Sequence, residues 1–135
     1  MITSRANVTV RYAETDMMGV AYHGSYLPWL EIGRTGLLKD HGVAYKDLEA
    51  QGFFLPVLKV NVHYRRAARY DDVVEITTFL REKPALRIRM DYELRANGEL
   101  IATGGSEHAF IDKDGRPVRP PAVFVELMDR LFGRE

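Results

Sequence analysis

The segment Ser25-Tyr26-Leu27-Pro28-Trp29-Leu30-Glu31-Ile32-Gly33-Arg34-Thr35-Gly36-Leu37-Leu38-Lys39-Asp40-His41-Gly42 decides the fold, because it carries the one long helix the sequence supports. Leu27, Leu30, Leu37, Leu38 and His41 recur at helical spacing. Ser25 is placed to cap the start, and Pro28 falls in the first turn, where its missing N–H is no loss. Gly42 suits the position just past the end. Gly33 and Gly36 sit inside the helix, where each glycine costs about 0.5–1 kcal/mol relative to alanine. That loss has a purpose if the helix lies very close to something flat, so close packing on a sheet is expected at both glycines.

The flanking sequence supplies the sheet. Before the helix, Ala6, Val8, Val10 and Tyr12 alternate with Arg5, Asn7, Thr9 and Arg11, the pattern of a half-buried strand. After it, Leu58, Val60, Val62 and Tyr64 alternate with Lys59, Asn61, His63 and Arg65. Val74, Ile76, Thr78 and Leu80 form a third run, and Leu86, Ile88, Met90, Tyr92 and Leu94 a fourth. A fifth covers about Glu99 to Ile111, and Asn97-Gly98 marks a tight hairpin before it, since both residues accept positive φ. Pro117 to Pro121 ends the strand pattern, and Ala122 to Phe132 reads as a short closing helix. The order strand, helix, four strands, helix predicts an α+β chain whose five-stranded antiparallel sheet wraps the long helix, the hotdog arrangement. A ferredoxin-like fold needs a second long helix between strands, and an α/β-hydrolase needs parallel strands and far more chain.

Length and composition agree with one domain spanning residues 1–135. A chain of this size buries about 68% of its unfolded surface, enough for one core. The 46% apolar and 28% charged content is that of a globular protein. Nineteen basic and nineteen acidic side chains cancel, so no overall field draws the chain to nucleic acid or an anionic membrane. There are no cysteines, which removes disulfides, thiolate metal sites and a cysteine nucleophile, and goes with a reducing compartment. No signal-peptide pattern opens the chain and no apolar run approaches the roughly 20 residues that span a bilayer, so the expected location is cytoplasmic, without membrane insertion. No G-x-S-x-G elbow, H-E-x-x-H motif, G-x-G-x-x-G loop or Walker loop occurs, so no metal site and no redox cofactor is expected.

The chemistry concentrates in Tyr12-Ala13-Glu14-Thr15-Asp16-Met17-Met18-Gly19-Val20-Ala21-Tyr22-His23-Gly24-Ser25-Tyr26-Leu27, which joins the first strand to the helix. Its end lies beside the helix's free N–H groups, which favour negative charge. A carbonyl docked there has its developing oxyanion stabilised, and one such donor is commonly worth about 10²–10³ in rate. Asp16, as a carboxylate, can activate water or attack the carbonyl itself. Taken alone, a loop aspartate before a helix is more often a cap or a solvated charge. Glu31 is a rival carboxylate, but it lies three residues before Arg34, so an ion pair explains it more simply. His41, His63 and His108 read as structural or exposed. Met17, Met18, Trp29, Phe53 and Phe54 are candidates to line an apolar pocket, with Trp29 equally suited to the core.

The run Thr15-Asp16-x-x-Gly19-x-x-Tyr22-His23-x-x-Tyr26-Leu27-x-Trp29-x-Glu31-x-x-Arg34 resembles the signature of the 4-hydroxybenzoyl-CoA thioesterase family, nearest to its Tol–Pal-associated branch. The likeness continues through Pro56-Val57, Tyr64-x-x-Ala67-x-x-Tyr70-Asp71-Asp72 and Ala102-Thr103-Gly104, covering most of the chain. It implies a hotdog acyl-CoA thioesterase that needs no added cofactor, as a homodimer or homotetramer with the active site at the subunit interface. It implies catalysis by Asp16, with Tyr22 and His23 lining the site and the backbone N–H near His23 polarising the carbonyl. Gly19, Gly24, Tyr26, Arg65, Lys83 and Arg87 are the residues expected to contact substrate, the cations by holding CoA phosphates. The competing function is a hotdog protein that binds acyl-CoA without turning it over.

Overall fold

In the computed structural model, which describes residues 1–133, strands β1 (Ile2–Thr9), β2 (Val57–Tyr64), β3 (Val73–Leu80), β4 (Ile88–Ala96) and β5 (Glu99–His108) form one sheet. The strand order is β1-β3-β4-β5-β2, and every neighbouring pair is antiparallel. Helices α1 (Tyr26–Asp40), α2 (Tyr45–Ala50) and α3 (Ala122–Phe132) complete the chain. The architecture is the expected hotdog: α1 lies across one face of the sheet, with Trp29, Leu30, Leu37 and Leu38 buried against Ile76, Leu80, Ile88, Met90 and Leu94. Arg89, Asp91, Glu93 and Arg95 of β4 alternate onto the opposite, charged face.

Gly33 is where the helix meets the sheet. A Cβ there would overlap Thr78 Oγ1 and come within 2.9 Å of Ile76 Cγ2. Gly36 does not share this role, since a Cβ there would meet nothing within 4 Å. Leu37 and Leu38 are still fully buried, so the helix stays on the sheet while Gly36 sits on its flank, and close packing explains only the first glycine.

Several local expectations shift. Ser25 does not cap α1 with its side chain. Its backbone is already helical, at φ −66° and ψ −20°, because a 3₁₀ turn over His23–Ser25 extends the helix backwards to an extended Tyr22. Leu86 lies outside β4 and is exposed, since the link from β3 continues to residue 87. Tyr12 falls in a 3₁₀ turn after β1 and is also exposed. The short α2 was not legible from periodicity. Asn97 and Gly98 take positive φ, 53° and 77°, as a tight β4–β5 turn requires.

β2 departs most from the alternating rule. As an edge strand it pairs only with β5, and Val57, Leu58, Val60 and Tyr64 are each more than two-fifths exposed. An edge strand with an exposed apolar row is a template for pairing with another chain. No helix among the described residues is long and apolar enough to cross a membrane.

Candidate active site

Residues 14–22 fold back on themselves as a small hairpin. The Tyr22 amide donates to the Glu14 carbonyl at 2.7 Å, Thr15 bridges Ala21, and the Asp16 amide donates to Val20 O at 2.9 Å. Gly19 closes the tip with φ at 79°, a conformation that glycine adopts at no steric cost. The Asp16 carboxylate sits on this hairpin and is exposed. Its Oδ1 accepts the Met18 amide at 2.8 Å, an Asx-type bond that fixes the side chain. Its Oδ2 has no protein partner among the described residues.

The second arm of the hairpin feeds directly into the helix. Tyr22 is extended, at φ −63° and ψ 140°, and the 3₁₀ turn His23–Ser25 runs into α1. Among the described residues, the amides of His23 and Gly24 donate to no protein acceptor. Free N–H groups at the positive end of a helix suit a developing oxyanion. The Tyr22 ring folds over Gly24, where a Cβ would come within 2.8 Å of Tyr22 Cε2, and packs against the His23 imidazole with centroids 4.2 Å apart and planes tilted by 43°. Tyr64 of β2 donates its hydroxyl to the His23 carbonyl at 2.9 Å, which ties the turn to the sheet edge.

Two cavities flank this corner. One of about 280 Å³ lies between His23, Tyr26, Tyr64 and Arg65. A larger one of about 490 Å³ opens between α1 (Leu27, Pro28, Leu30, Glu31), β2 (Val57, Val60) and β5 (Ser106, His108). Its walls are almost wholly apolar, with polar groups confined to three positions. Glu31 is held by buried Arg34 at 2.5 Å, as the spacing predicted, and Arg34 also reaches Tyr45 Oη at 2.7 Å and Leu55 O at 2.8 Å. Ser106 and His108 belong to a buried chain whose direction is fixed by elimination. A carbonyl only accepts, so His108 Nδ1–H donates to Pro56 O at 3.1 Å, leaving Nε2 as a bare acceptor for Ser106 Oγ–H at 2.7 Å. Tyr92 then donates to Ser106 at 2.7 Å. Burial and the nearby Arg34 charge push the His108 pKa down to about 4, so the ring is neutral, and burial pushes Tyr92 up to about 12.

These features can be set beside known proteins. The sequence profile of the thioesterase-like superfamily matches residues 10–128. The chain belongs to the thioesterase-like superfamily. Its reaction class is thioester hydrolysis. It is 36% identical over 128 residues to Bacillus subtilis YneP, provisionally named an acyl-CoA thioesterase, covering 93% of each chain. It is 37% identical to a structure named as the DHNA-CoA thioesterase from Staphylococcus aureus, with a TM-score of 0.85 over 98% of this chain and 85% of that one. The hypothetical protein TT1821 from Thermus thermophilus superposes with a TM-score of 0.89 at 34% identity, covering 96% and 98%. These matches establish the family and do not single out the Tol–Pal-associated branch.

Within this thioesterase-like fold the expected site residues fall into two groups. Asp16, Gly19, Tyr22, His23, Gly24 and Tyr26 share the hairpin and the start of α1; Tyr26 is buried, its hydroxyl facing the Ala68 amide at 3.4 Å. Arg65 joins them at the smaller cavity. Lys83 and Arg87 lie apart, at the β3–β4 link, beside a cavity of about 520 Å³. Lys83 Nζ is already bonded to Asp129 at 2.7 Å and to Gly133 O. The acyl-pocket candidates fare worse. Trp29 is 1% exposed in the core, Met17 and Met18 are exposed at the hairpin tip, and Phe53 and Phe54 do not border the large cavity. Sequence reading missed Glu14, Ser106 and His108; the last two sit two apart on a strand, a spacing that places both side chains on one face.

Proposed function

We propose that the chain hydrolyses an acyl-CoA thioester to the free acid and CoA, with Asp16 acting on a carbonyl held by the amides at the start of α1. The observation that carries this reading is the pairing of a fixed carboxylate, with Oδ2 unengaged, and a helix start whose His23 and Gly24 amides are free. Oδ2 either takes the proton of an attacking water or attacks the carbonyl carbon itself. In both routes one water is consumed and the C–S bond breaks. CoA leaves as the thiol and the acyl group as the carboxylate. No added cofactor enters this scheme.

The apolar cavity between α1, β2 and β5 is the proposed acyl pocket, and its 490 Å³ falls within the usual range for small-ligand sites. Gly19, Gly24 and Tyr26 shape the entrance, while Tyr22 and His23 line it. Arg65 and Arg87, which have no ion-pair partner among the described residues, are proposed to meet CoA phosphates. Lys83 keeps a third N–H for the same purpose, since an ammonium carries three donors. A second copy of the chain is proposed to cover the β2 edge and enclose the site. The exposed Met17, Met18, Tyr22 and Leu27 around Asp16 support that enclosure.

The test is release of free thiol from a panel of aromatic, short and medium acyl-CoAs, followed with a chromogenic thiol reagent. Turnover of at least one ester is expected. Tight binding of acyl-CoAs with no thiol released would replace this reading with that of a binding protein.

A further inference from the structure

We infer that Glu14 is the positioning residue of this site, holding the Asp16 hairpin in register with the first turns of α1. Both ends of the residue are used. Its carbonyl accepts the Tyr22 amide at 2.7 Å and the Ser25 hydroxyl at 3.0 Å. Its carboxylate accepts the Arg11 amide on Oε1 at 2.8 Å and the Trp29 indole N–H on Oε2 at 3.0 Å. The Arg11 guanidinium adds an ion pair at 3.4 Å. One residue therefore binds the end of the β1 segment, the far arm of the hairpin, the 3₁₀ turn and the buried first turn of the helix. Asp16 lies two residues along from this junction, and the free His23 and Gly24 amides lie between two of its partners, Tyr22 and Ser25.

The carboxylate is built to stay charged in this place. Its side chain is only 12% exposed. Burial alone would raise its pKa, but the bonds from Arg11 and Trp29 outweigh that and hold it below the usual carboxylate range. A solvated surface glutamate would need none of these donors. The indole N–H matters most for register, because Trp29 is 1% exposed and cannot move without the core. Its bond to Glu14 transmits the position of α1 to the hairpin that carries Asp16.

The inference rests on the reading of Asp16 given above, and its test separates the two. Glu14→Gln and Glu14→Ala are assayed with the best acyl-CoA of the panel, beside Asp16→Asn. Misplacing a catalytic group by about 1 Å costs up to about 10²-fold, so kcat should fall about 10-fold in Glu14→Gln and about 100-fold in Glu14→Ala. KM should stay within about twofold in both, because the Glu14 carboxylate is already engaged by Arg11 and Trp29. Trp29→Phe, which deletes only the donor from this contact, should lower kcat by about the same factor as Glu14→Gln. The double variant should then be no worse than either, the non-additivity expected of partners in one bond. The inference is overturned if folded Glu14→Ala keeps kcat within about twofold, if KM rises while kcat holds, or if the Gln and Phe effects multiply. Should Glu14→Ala not fold, Glu14→Gln and Trp29→Phe decide alone. An inactive Asp16→Asn with fully active Glu14 variants removes only this inference, whereas an active Asp16→Asn removes the reading of the site itself.

Discussion

Replacing the two glycines of α1 one at a time should change stability in opposite directions. In an open helix interior, alanine is favoured over glycine by about 0.8–1 kcal/mol. At Gly36 that gain is available in full, because a Cβ meets nothing within 4 Å. Gly36→Ala should therefore stabilise the fold by about 0.5–1 kcal/mol. At Gly33 the same Cβ would overlap Thr78 Oγ1 and press on Ile76 Cγ2 at 2.9 Å. Both neighbours are β-branched and fully buried in the middle strands, so neither can swing aside. Overpacking of this kind costs about 1–3 kcal/mol, and with two stiff contacts the upper end applies. After the propensity gain, Gly33→Ala should destabilise by about 2 kcal/mol. Thr78→Ala removes the first obstruction, so in that background Gly33→Ala should cost at least about 1 kcal/mol less, a coupling typical of residues in contact. Urea unfolding followed by circular dichroism reads all four proteins, with a constant m-value as the check on two-state behaviour. A neutral or stabilising Gly33→Ala, or identical effects at both glycines, would refute the packing argument.

Three other outcomes follow from the same geometry. His108 takes a proton near pH 6.5 in the unfolded chain but only near 4 when folded, so the unfolded state binds more protons between those values. Stability should accordingly fall with pH from about 6.5 to 4, by up to roughly 3 kcal/mol, and a flat profile in wild type would contradict the buried neutral ring. Val60→Lys places a charge in the exposed row of the edge strand and should convert the proposed dimer to a monomer on light-scattering chromatography, with loss of thioesterase activity; an unchanged assembly would contradict an interface at β2. Arg87→Ala should raise KM for acyl-CoA by about 10-fold at low salt and less at high salt, as for a lost phosphate contact. An unaltered KM would place the nucleotide away from the β3–β4 link.

The strands and the long helix were legible because period-2 and period-3.6 patterns report burial, and burial is what this sheet and helix share. The pattern fails where no other element of the chain covers the apolar row. β2 alternates as clearly as β3 does, yet its apolar row is exposed, and no local signal distinguishes a row that meets a helix from one that does not. Gly33 and Gly36 look alike in sequence, and only the side of the helix that meets β3 separates them. At the site, Asp16, Tyr22 and His23 were legible as a contiguous motif before a helix. Glu14 was not, since its significance lies in an indole fifteen residues away and in its own carbonyl. The Ser106–His108 chain was missed for a related reason: its orienting group, the Pro56 carbonyl, carries no side-chain signature. Lys83 carries a suitable charge in the β3–β4 turn, but nothing local in sequence shows that the fold brings Asp129 of α3 against it.

The most direct test of the account is the steady-state rate of CoA release by Asp16→Asn against wild type, on the acyl-CoA that wild type hydrolyses best. The isosteric amide can still accept the Met18 amide that fixes the side chain, while it removes the charge that activates water or attacks the carbonyl. Loss of a general base alone typically lowers rate by about 10²–10⁴-fold, so kcat should drop by at least about 10²-fold with KM little changed. A folded Asp16→Asn protein that releases CoA at near the wild-type rate would contradict the central claim.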